Sequence, residues 1–430
     1  MLSAGGAFDG SSSWRIAGHL RTLAIGVTLV LAIGCTATPA ISPTPNVGSA
    51  SPAAGTQNPT PTSIAPTPSA TDPVASWTRV PTTEALRGAT MTRVVAGPAG
   101  LLALGSRDAG GFVSWWSGDG VGWTRSAYVG TAAAGGALAL PDGFVILGRI
   151  GDGPDRERAM TWRSSDGVQW VASPIDGLKT DPIAVGMVGG RIATFALRAP
   201  SGGEPTLAWS SSDLVTWASD VLGDGGYSDA AGITVLSDET GLAFGRWSAE
   251  PMDIAPFPPG QAAFWRSNDG RAWHRTADDP DLAAAVFVDV AQRSGSDVVA
   301  VGQRWDPAGQ PDQAYAMALW SSSDGDAWDR VEVPPALDPT AVPRRVVTTP
   351  TGYLLLASSP AAAPNALVAS STDGRIWTAF DPPIAFEGGQ ANDLAVVAGH
   401  LVAVGQTLPD GGTAADAAVW IGPTNAERTN

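Results

Sequence analysis

Short apolar runs alternate with clusters of glycine, proline, serine and aspartate along most of the chain. The runs at residues 101–105 (LLALG), 144–148 (FVILG) and 298–302 (VVAVG) are typical. Apolar runs of this length between turn-forming residues predict β-strands. No stretch keeps the 3.6-residue period of an amphipathic helix. The pattern therefore predicts an all-β fold built from short strands.

The strand pattern repeats together with a box of the form Ser-x-Asp-Gly-x-x-Trp. The box occurs six times, and successive acids are 47, 47, 56, 55 and 49 residues apart. A period in this range indicates a repeat architecture, here with about four short strands in each unit. Leu214 replaces the glycine of the third box, so that turn is expected to differ or to be strained. The six acids are Asp119, Asp166, Asp213, Asp269, Asp324 and Asp373.

The two ends of the repeat region complement each other. Residues 400–405 (HLVAVG) and 418–422 (AVWIG) begin a seventh unit that has no box, and the repeat region stops before that unit's last strand. Residues 76–80 (SWTRV) look like a last strand without a unit of its own, and Trp77 stands 46 residues before Trp123. Closing a ring removes exposed sheet edges. We therefore predict a seven-bladed β-propeller over residues 76–422, with its last blade closed by the N-terminal strand.

The boxes resemble the Asp-box, or BNR repeat, of the sialidase-like propellers, whose pattern is Ser-x-Asp-x-Gly-x-x-Trp. The spacing here is one residue shorter. The resemblance implies that each box is a structural turn between the third and fourth strands of a blade, remote from the catalytic face. The side chains suit that role, because aspartate and serine can bond the backbone of their own turn and tryptophan can pack between blades.

The segment before the repeats predicts an export signal and a spacer. Arg15 and Arg21 precede an apolar run that ends in LAIGC, which resembles the lipobox of bacterial lipoproteins and makes Cys35 the expected lipidation site. A plain signal peptide or an uncleaved anchor is the alternative, and the protein would be secreted if Cys35 is not lipidated. Residues 36–75 are rich in proline, threonine and serine, which predicts a disordered linker. Residues 423–430 are assigned to a C-terminal tail.

Charge and composition exclude several classes of function. The net charge of −16 argues against nucleic acid as a partner. One cysteine excludes a disulfide framework, and the two histidines after the leader, His274 and His400, make a histidine metal cluster improbable. The Arg-Ile-Pro element and tyrosine–glutamate pair of sialidases are not recognisable. We therefore predict no catalytic residues, no cofactor and no metal site.

Two long loops of adjacent units offer a candidate binding site. They cover residues 246–261 and 303–315 and are expected on the face opposite the boxes. Aromatic side chains beside carboxylates suit a sugar or protein ligand. Variable, solvated loops, calcium at the acidic links between units, and an anion held by the arginines at 107, 149, 198, 246 and 304 are the alternatives. The candidate ligand-binding residues are Trp247, Asp253, Phe257, Trp305, Asp306 and Tyr315.

The sequence thus favours a monomeric, non-catalytic extracytoplasmic lipoprotein. It is expected to attach to a bacterial membrane through a lipid at Cys35 and to bind a protein or glycan. A glycoside hydrolase with a sialidase-like fold and a divergent site, or a factor that assembles membrane complexes, are the competing interpretations.

Overall fold

The predicted apolar runs are strands in the computed structural model. It describes residues 77–424, apart from 109, 127–131, 152–157, 179–180, 197–205, 224–226, 249–260, 294, 296, 306–314, 360–365, 381–383, 398 and 409–413. The strands form seven sheets of four antiparallel strands each. The prediction of a seven-bladed propeller is confirmed. In this described part, no helix is long and apolar enough to cross a membrane.

Blades 1 to 6 each use four consecutive strands, ordered from the ring axis outward. Within the described residues, three short 3-10 helices lie in the links, at Glu84–Leu86, Pro280–Leu282 and Ile384–Phe386. Blades 1 to 3 comprise β2 (Ala89–Gly97), β3 (Gly100–Arg107), β4 (Phe112–Ser117) and β5 (Thr124–Arg125); β6 (Ala132–Leu140), β7 (Gly143–Ile150), β8 (Arg158–Ser164) and β9 (Val171–Pro174); and β10 (Pro182–Val188), β11 (Arg191–Ala196), β12 (Leu207–Ser211) and β13 (Ala218–Val221). Blades 4 to 6 comprise β14 (Tyr227–Val235), β15 (Gly241–Ser248), β16 (Gln261–Ser267) and β17 (His274–Arg275); β18 (Ala285–Gln292), β19 (Val298–Trp305), β20 (Tyr315–Ser322) and β21 (Asp329–Val331); and β22 (Val342–Thr349), β23 (Gly352–Ser358), β24 (Ala366–Ser371) and β25 (Trp377–Phe380).

Blade 7 joins the two ends of the ring, as the sequence predicts. Its first three strands are β26 (Gly389–Val397), β27 (His400–Thr407) and β28 (Asp416–Pro423), and its outer strand is β1 (Thr78–Arg79). β1 pairs antiparallel with β28, with Thr78 opposite Ile421 and Arg79 opposite Trp420. β28 extends one residue beyond the predicted end at 422.

The hydrophobic core is divided among the blade interfaces. Seven clusters of buried side chains each combine residues from two neighbouring blades, and the innermost strands of all seven blades touch their neighbours around the ring. Each innermost strand also carries a β-bulge, which places one extra residue opposite its partner strand. The core therefore holds blade against blade, and the bulges change which inner residues face the axis.

Each of the six boxes forms the same hydrogen-bonded turn. The turn joins the third and fourth strands of its blade, in blades 1 to 6. In each, the serine hydroxyl donates to the aspartate at 3.0–3.1 Å and accepts the N–H of the residue after the aspartate at 2.7–2.9 Å. The same carboxylate oxygen accepts the next two backbone N–H groups at 2.7–3.2 Å. We call the side of the ring that carries these turns the box face. The opposite side, with the second-to-third strand loops and the links between blades, is the loop face.

The turn with leucine in place of glycine keeps the same hydrogen bonds and is strained. Leu214 has a φ of +63°, where a non-glycine residue costs about 1–2 kcal/mol. Its side chain is only 9% exposed and packs in the core between blades 2 and 3. Burial of a leucine contributes about 2–5 kcal/mol, which exceeds the strain.

We therefore expect both small substitutions at this position to destabilise the protein. Leu214→Ala keeps the strain and loses the packing, so it should lower the free energy of unfolding by about 2–5 kcal/mol. Leu214→Gly relieves the strain and should be about 1 kcal/mol less harmful. Urea unfolding of the two variants and the parent gives the order of their free energies of unfolding. A glycine variant more stable than the parent would show that the side chain contributes less than its strain costs.

The turns also predict how stability responds to acid. Backbone N–H groups of Thr216 and Val215 hold the pKa of Asp213 down to about 2, and similar bonds lower the pKa of the other five box aspartates. A lowered pKa in the folded state adds stability above the unfolded value, and this contribution is lost as the pH falls through the folded value. We expect Asp213→Asn to flatten the fall in unfolding free energy between about pH 4 and about pH 2. Denaturant titrations across that range would measure it, and equal slopes would contradict the role of the ionised carboxylate.

Candidate functional site

The predicted aromatic residues that the structure describes lie at the loop face but at two different blade interfaces. Trp247, at the end of β15, is half-buried and packs against the core between blades 3 and 4. The guanidinium of Arg275 stacks on its ring, 3.9 Å from the centroid. Arg275 is itself paired with Asp278. One face of the Trp247 ring is therefore already covered by a cation.

The other two described aromatic residues form a pair on blade 5. Trp305 ends β19 and Tyr315 begins β20, and they are directly opposite each other in the strand register. Side chains alternate along a strand, so Tyr315 shares a sheet face with Met317 and Leu319, which pack against blade 6. Trp305 and Tyr315 are both half-buried. The structure thus brings these two together, and places Trp247 at a separate blade interface.

The phenol of Tyr315 is neutral near neutral pH. Partial burial raises its pKa, and the positive charge of Arg246 on blade 4 acts in the opposite direction. A neutral phenol can donate as well as accept a hydrogen bond. The other three candidates, Asp253, Phe257 and Asp306, lie outside the described residues, as does Cys35.

In the link between blades 4 and 5, Asp278 is paired with Arg275, and Asp279 accepts two backbone hydrogen bonds. Asp279 accepts the backbone N–H of Asp281 at 2.9 Å and that of Trp328 at 2.8 Å. Asp220, in the outer strand of blade 3, accepts from the Arg271 side chain at 2.8 Å. Across the residues that the structure describes, no group of three or more histidine, cysteine or acidic residues could hold a metal ion.

The arginines near the ends of the second strands do not share one sheet face. Arg149 and Arg246 follow the strand glycine by one residue, whereas Arg107 and Arg304 follow it by two, and these glycines occupy matching register positions. The two sets therefore project to opposite sides of their sheets. Arg149 is paired with Asp181 at 2.6 Å. Arg198 lies outside the described part of the chain.

The sequence analysis missed a charged network at the ring axis. We call it the axial network, and it consists of Asp289, Arg345 and Asp393 on the innermost strands of blades 5, 6 and 7. Arg345 Nη1 lies 3.2 Å from Asp289 Oδ1, and Arg345 Nε lies 3.3 Å from Asp393 Oδ1. Both carboxylates are buried, whereas the Arg345 side chain is 38% exposed. The network therefore has a partly hydrated cation between two buried anions.

Both carboxylates also bind the backbone of the next blade. Asp289 Oδ2 accepts the N–H of Val346 at 2.9 Å, and Asp393 Oδ2 accepts the N–H of Val94 at 2.9 Å. Burial raises the pKa of Asp289, and the Arg345 guanidinium opposes that effect. All three residues directly follow the bulge of their strand. Charged residues inside the first strands were the sequence signal, and the bulge that turns them towards one another leaves no mark in the sequence.

Comparisons with known proteins support the fold and go no further. No protein-family model and no curated protein matches the chain. YCF48 from Cyanidioschyzon merolae is similar in structure, with 12% identity, a TM-score of 0.51, and coverage of 81% of this chain and 99% of that one. The polysaccharide lyase Uly1 has 10% identity, a TM-score of 0.51, and coverage of 78% and 90%. The β-propeller domain of the Trilobed protease from Pyrococcus furiosus has 8% identity, a TM-score of 0.48, and coverage of 80% and 97%. At these identities the likeness concerns the fold alone.

Proposed function

We propose that the chain is a non-catalytic extracytoplasmic lipoprotein whose propeller binds a protein or glycan ligand through its loop face. The observation that carries the proposal is the pair of Trp305 and Tyr315, which stand opposite each other and half-buried where the loop face begins. Rigid aromatic side chains of this kind contribute large contact area at a small cost in conformational entropy, for protein and sugar ligands alike.

The points where the chain enters and leaves the propeller support a free loop face. β1 runs antiparallel to β28, and β28 ends on the box face. The chain therefore enters blade 7 at Trp77 on the box face and leaves it at Thr424 on the same face. With a linker and a lipid at Cys35 before Trp77, the attachment would be on the side opposite the proposed binding surface.

The resemblance of the boxes to Asp-box propellers supports the non-catalytic part of the proposal. In each box, the serine hydroxyl and an aspartate carboxylate oxygen form their hydrogen bonds within their own turn. A hydroxyl and a carboxylate used in this way are not free to act as nucleophile and base. The box residues are therefore assigned to the scaffold, and the ligand to the opposite face.

The binding proposal is tested with a matched pair of variants. Trp305→Ala combined with Tyr315→Ala removes the aromatic pair, and Ile376→Ala removes a side chain that is 75% exposed on the box face. The parent and both variants are applied to a glycan array and used as bait for cross-linking capture from native membranes, with mass spectrometry as the readout. We expect one glycan class or one dominant protein, with at least about tenfold weaker binding by the double variant. A ligand that binds all three equally, or that only the Ile376 variant loses, would contradict a site on the loop face.

The anchor is tested separately. Cys35→Ser removes the thiol that would be lipidated. In the proposed lipoprotein the lipid on this thiol holds the chain at the membrane, so we expect the variant to leave the membrane fraction, whereas the parent should remain in it and incorporate a labelled fatty acid. A variant that stays with the membrane to the same extent would contradict lipid anchoring at this residue.

A further inference from the structure

The outer strand of blade 7 is attached to its sheet only by noncovalent contacts. In blades 1 to 6 the box turn joins the outer strand to the third strand, but β1 has no such connection to β28. Its ladder consists of Thr78 and Arg79, and the N–H of Val80 adds one bond to the carbonyl of Val419 at 2.9 Å. A strand of this length contributes little ladder energy by itself.

Two side chains hold β1 in place. Trp77 is 7% exposed, and its ring lies 5.2 Å from that of Phe386 in an edge-to-face arrangement. Gly422 makes room for this ring, because a Cβ there would lie 2.5 Å from it. Arg79 donates to the backbone carbonyls of Ala385 and Glu387. The contacts of β1 are therefore concentrated in one slot at the outer edge of blade 7.

Blades 7 and 1 are joined independently of that slot, close to the axis. Asp393 accepts the N–H of Val94 at 2.9 Å, and Asn392 donates its side-chain N–H to the carbonyl of Met91 at 2.8 Å. The N–H of Gly88 donates to Asp416 at 2.9 Å. A cluster of buried side chains also spans this interface; it contains Val80, which directly follows β1, but neither Trp77 nor a residue of β1 itself. The inner closure thus has its own hydrogen bonds, and its core shares Val80 with the segment that follows β1.

We propose that blade 7 is closed twice, and that β1 is a detachable strap that can leave β28 while the inner closure keeps the ring intact. The inner closure consists of the contacts from Asp393, Asn392 and Asp416 to blade 1 together with the core beside them. The hinge of the strap is the exposed stretch at residues 81–83 between β1 and the 3-10 helix at Glu84–Leu86. In the proposed lipoprotein the strap is the point where the linker joins the domain. Its release would lengthen the linker by at most about 25 Å and would move the attachment point from the box face to the link at the loop face.

Hydrogen exchange of the full chain, followed by mass spectrometry, tests the two closures. In the parent, we expect the amides of residues 78–80 to exchange at least about tenfold faster than those of β27. Trp77→Ala should accelerate exchange at residues 78–80 by about 100-fold, the loss that truncating a buried tryptophan predicts. Exchange in β2 and β27 should change by less than about twofold. Parallel acceleration in β1, β2 and β27 would show that the strap and the ring open together, and would overturn the proposal.

Two further variants keep the test decisive if Trp77→Ala folds poorly. Arg79→Ala removes only the bonds to Ala385 and Glu387 and should give the same local pattern with a smaller change. Asp393→Asn weakens the inner closure, so exchange should accelerate in β2 and β26. The ratio of the exchange rates of β1 and β27 should stay nearer to that of the parent. If Arg79→Ala accelerates β2 as much as β1, the strap is not independent and the proposal is wrong.

Discussion

Replacing Asp393 with alanine is expected to lower the free energy of unfolding by about 3 kcal/mol. The substitution removes the acceptor of the Val94 N–H and of the Leu394 N–H, and leaves Arg345 with Asp289 alone. Loss of one partner of a buried ion pair costs about 3–5 kcal/mol. The lower end of this cost range applies here, because the Arg345 side chain is 38% exposed and keeps part of its hydration.

Two controls separate this effect from the loss of any ion pair. Asp142→Ala breaks a pair with Arg163 in which both side chains are more than half exposed, and should cost less than about 1 kcal/mol. Asp393→Asn keeps an oxygen that can accept the N–H of Val94. Its cost in unfolding free energy should lie between those of Asp393→Ala and Asp142→Ala. The measurement is urea unfolding of all three variants beside the parent. If Asp393→Ala costs no more than Asp142→Ala, the axial network does not stabilise the ring.

The repeat made the architecture predictable from the sequence. Six boxes in register fixed the number of complete units, and the mismatch between the two ends of the repeat gave the seventh blade. Trp77, one period before Trp123, identified the closing strand before any pairing was known. Regular strands and turns leave a periodic mark in the sequence, so each was found six or seven times over.

The site was harder to predict because it depends on features that the repeat does not carry. Trp247, Trp305 and Tyr315 belong to neighbouring loop regions of the sequence. Strand alternation nevertheless places Trp247 at the interface of blades 3 and 4, and the other two on the side of blade 5 that faces blade 6. The axial network depends on bulges in the innermost strands, and a bulge adds one residue without a characteristic sequence. In the sequence, Asp289 and Asp393 are therefore single charges in separate strands, and only the structure showed that Arg345 joins them.

Trp320, a tryptophan of the third strand of blade 5, is expected to be costly to truncate. The side chain is 0% exposed, packs at 5.2 Å from the ring of Phe287, and donates its indole N–H to the carbonyl of Asp281 at 3.0 Å. It thereby connects the core between blades 4 and 5 with the 3-10 helix that enters blade 5. Trp320→Ala should lower the free energy of unfolding by about 3–5 kcal/mol through lost contacts and an unfilled cavity.

A phenylalanine at the same position separates packing from hydrogen bonding. Trp320→Phe keeps a ring in the cluster but leaves the carbonyl of Asp281 without its donor, so it should cost about 2 kcal/mol. Blade 6 has Ala369 at the matching register position, where the surrounding side chains are built for a small residue. Trp247→Ala, in which the tryptophan is only half-buried, serves as the exposed counterpart and should cost less than either. Equal losses for Trp320→Ala and Trp320→Phe would mean that the indole N–H, and not the ring, holds the link to blade 5.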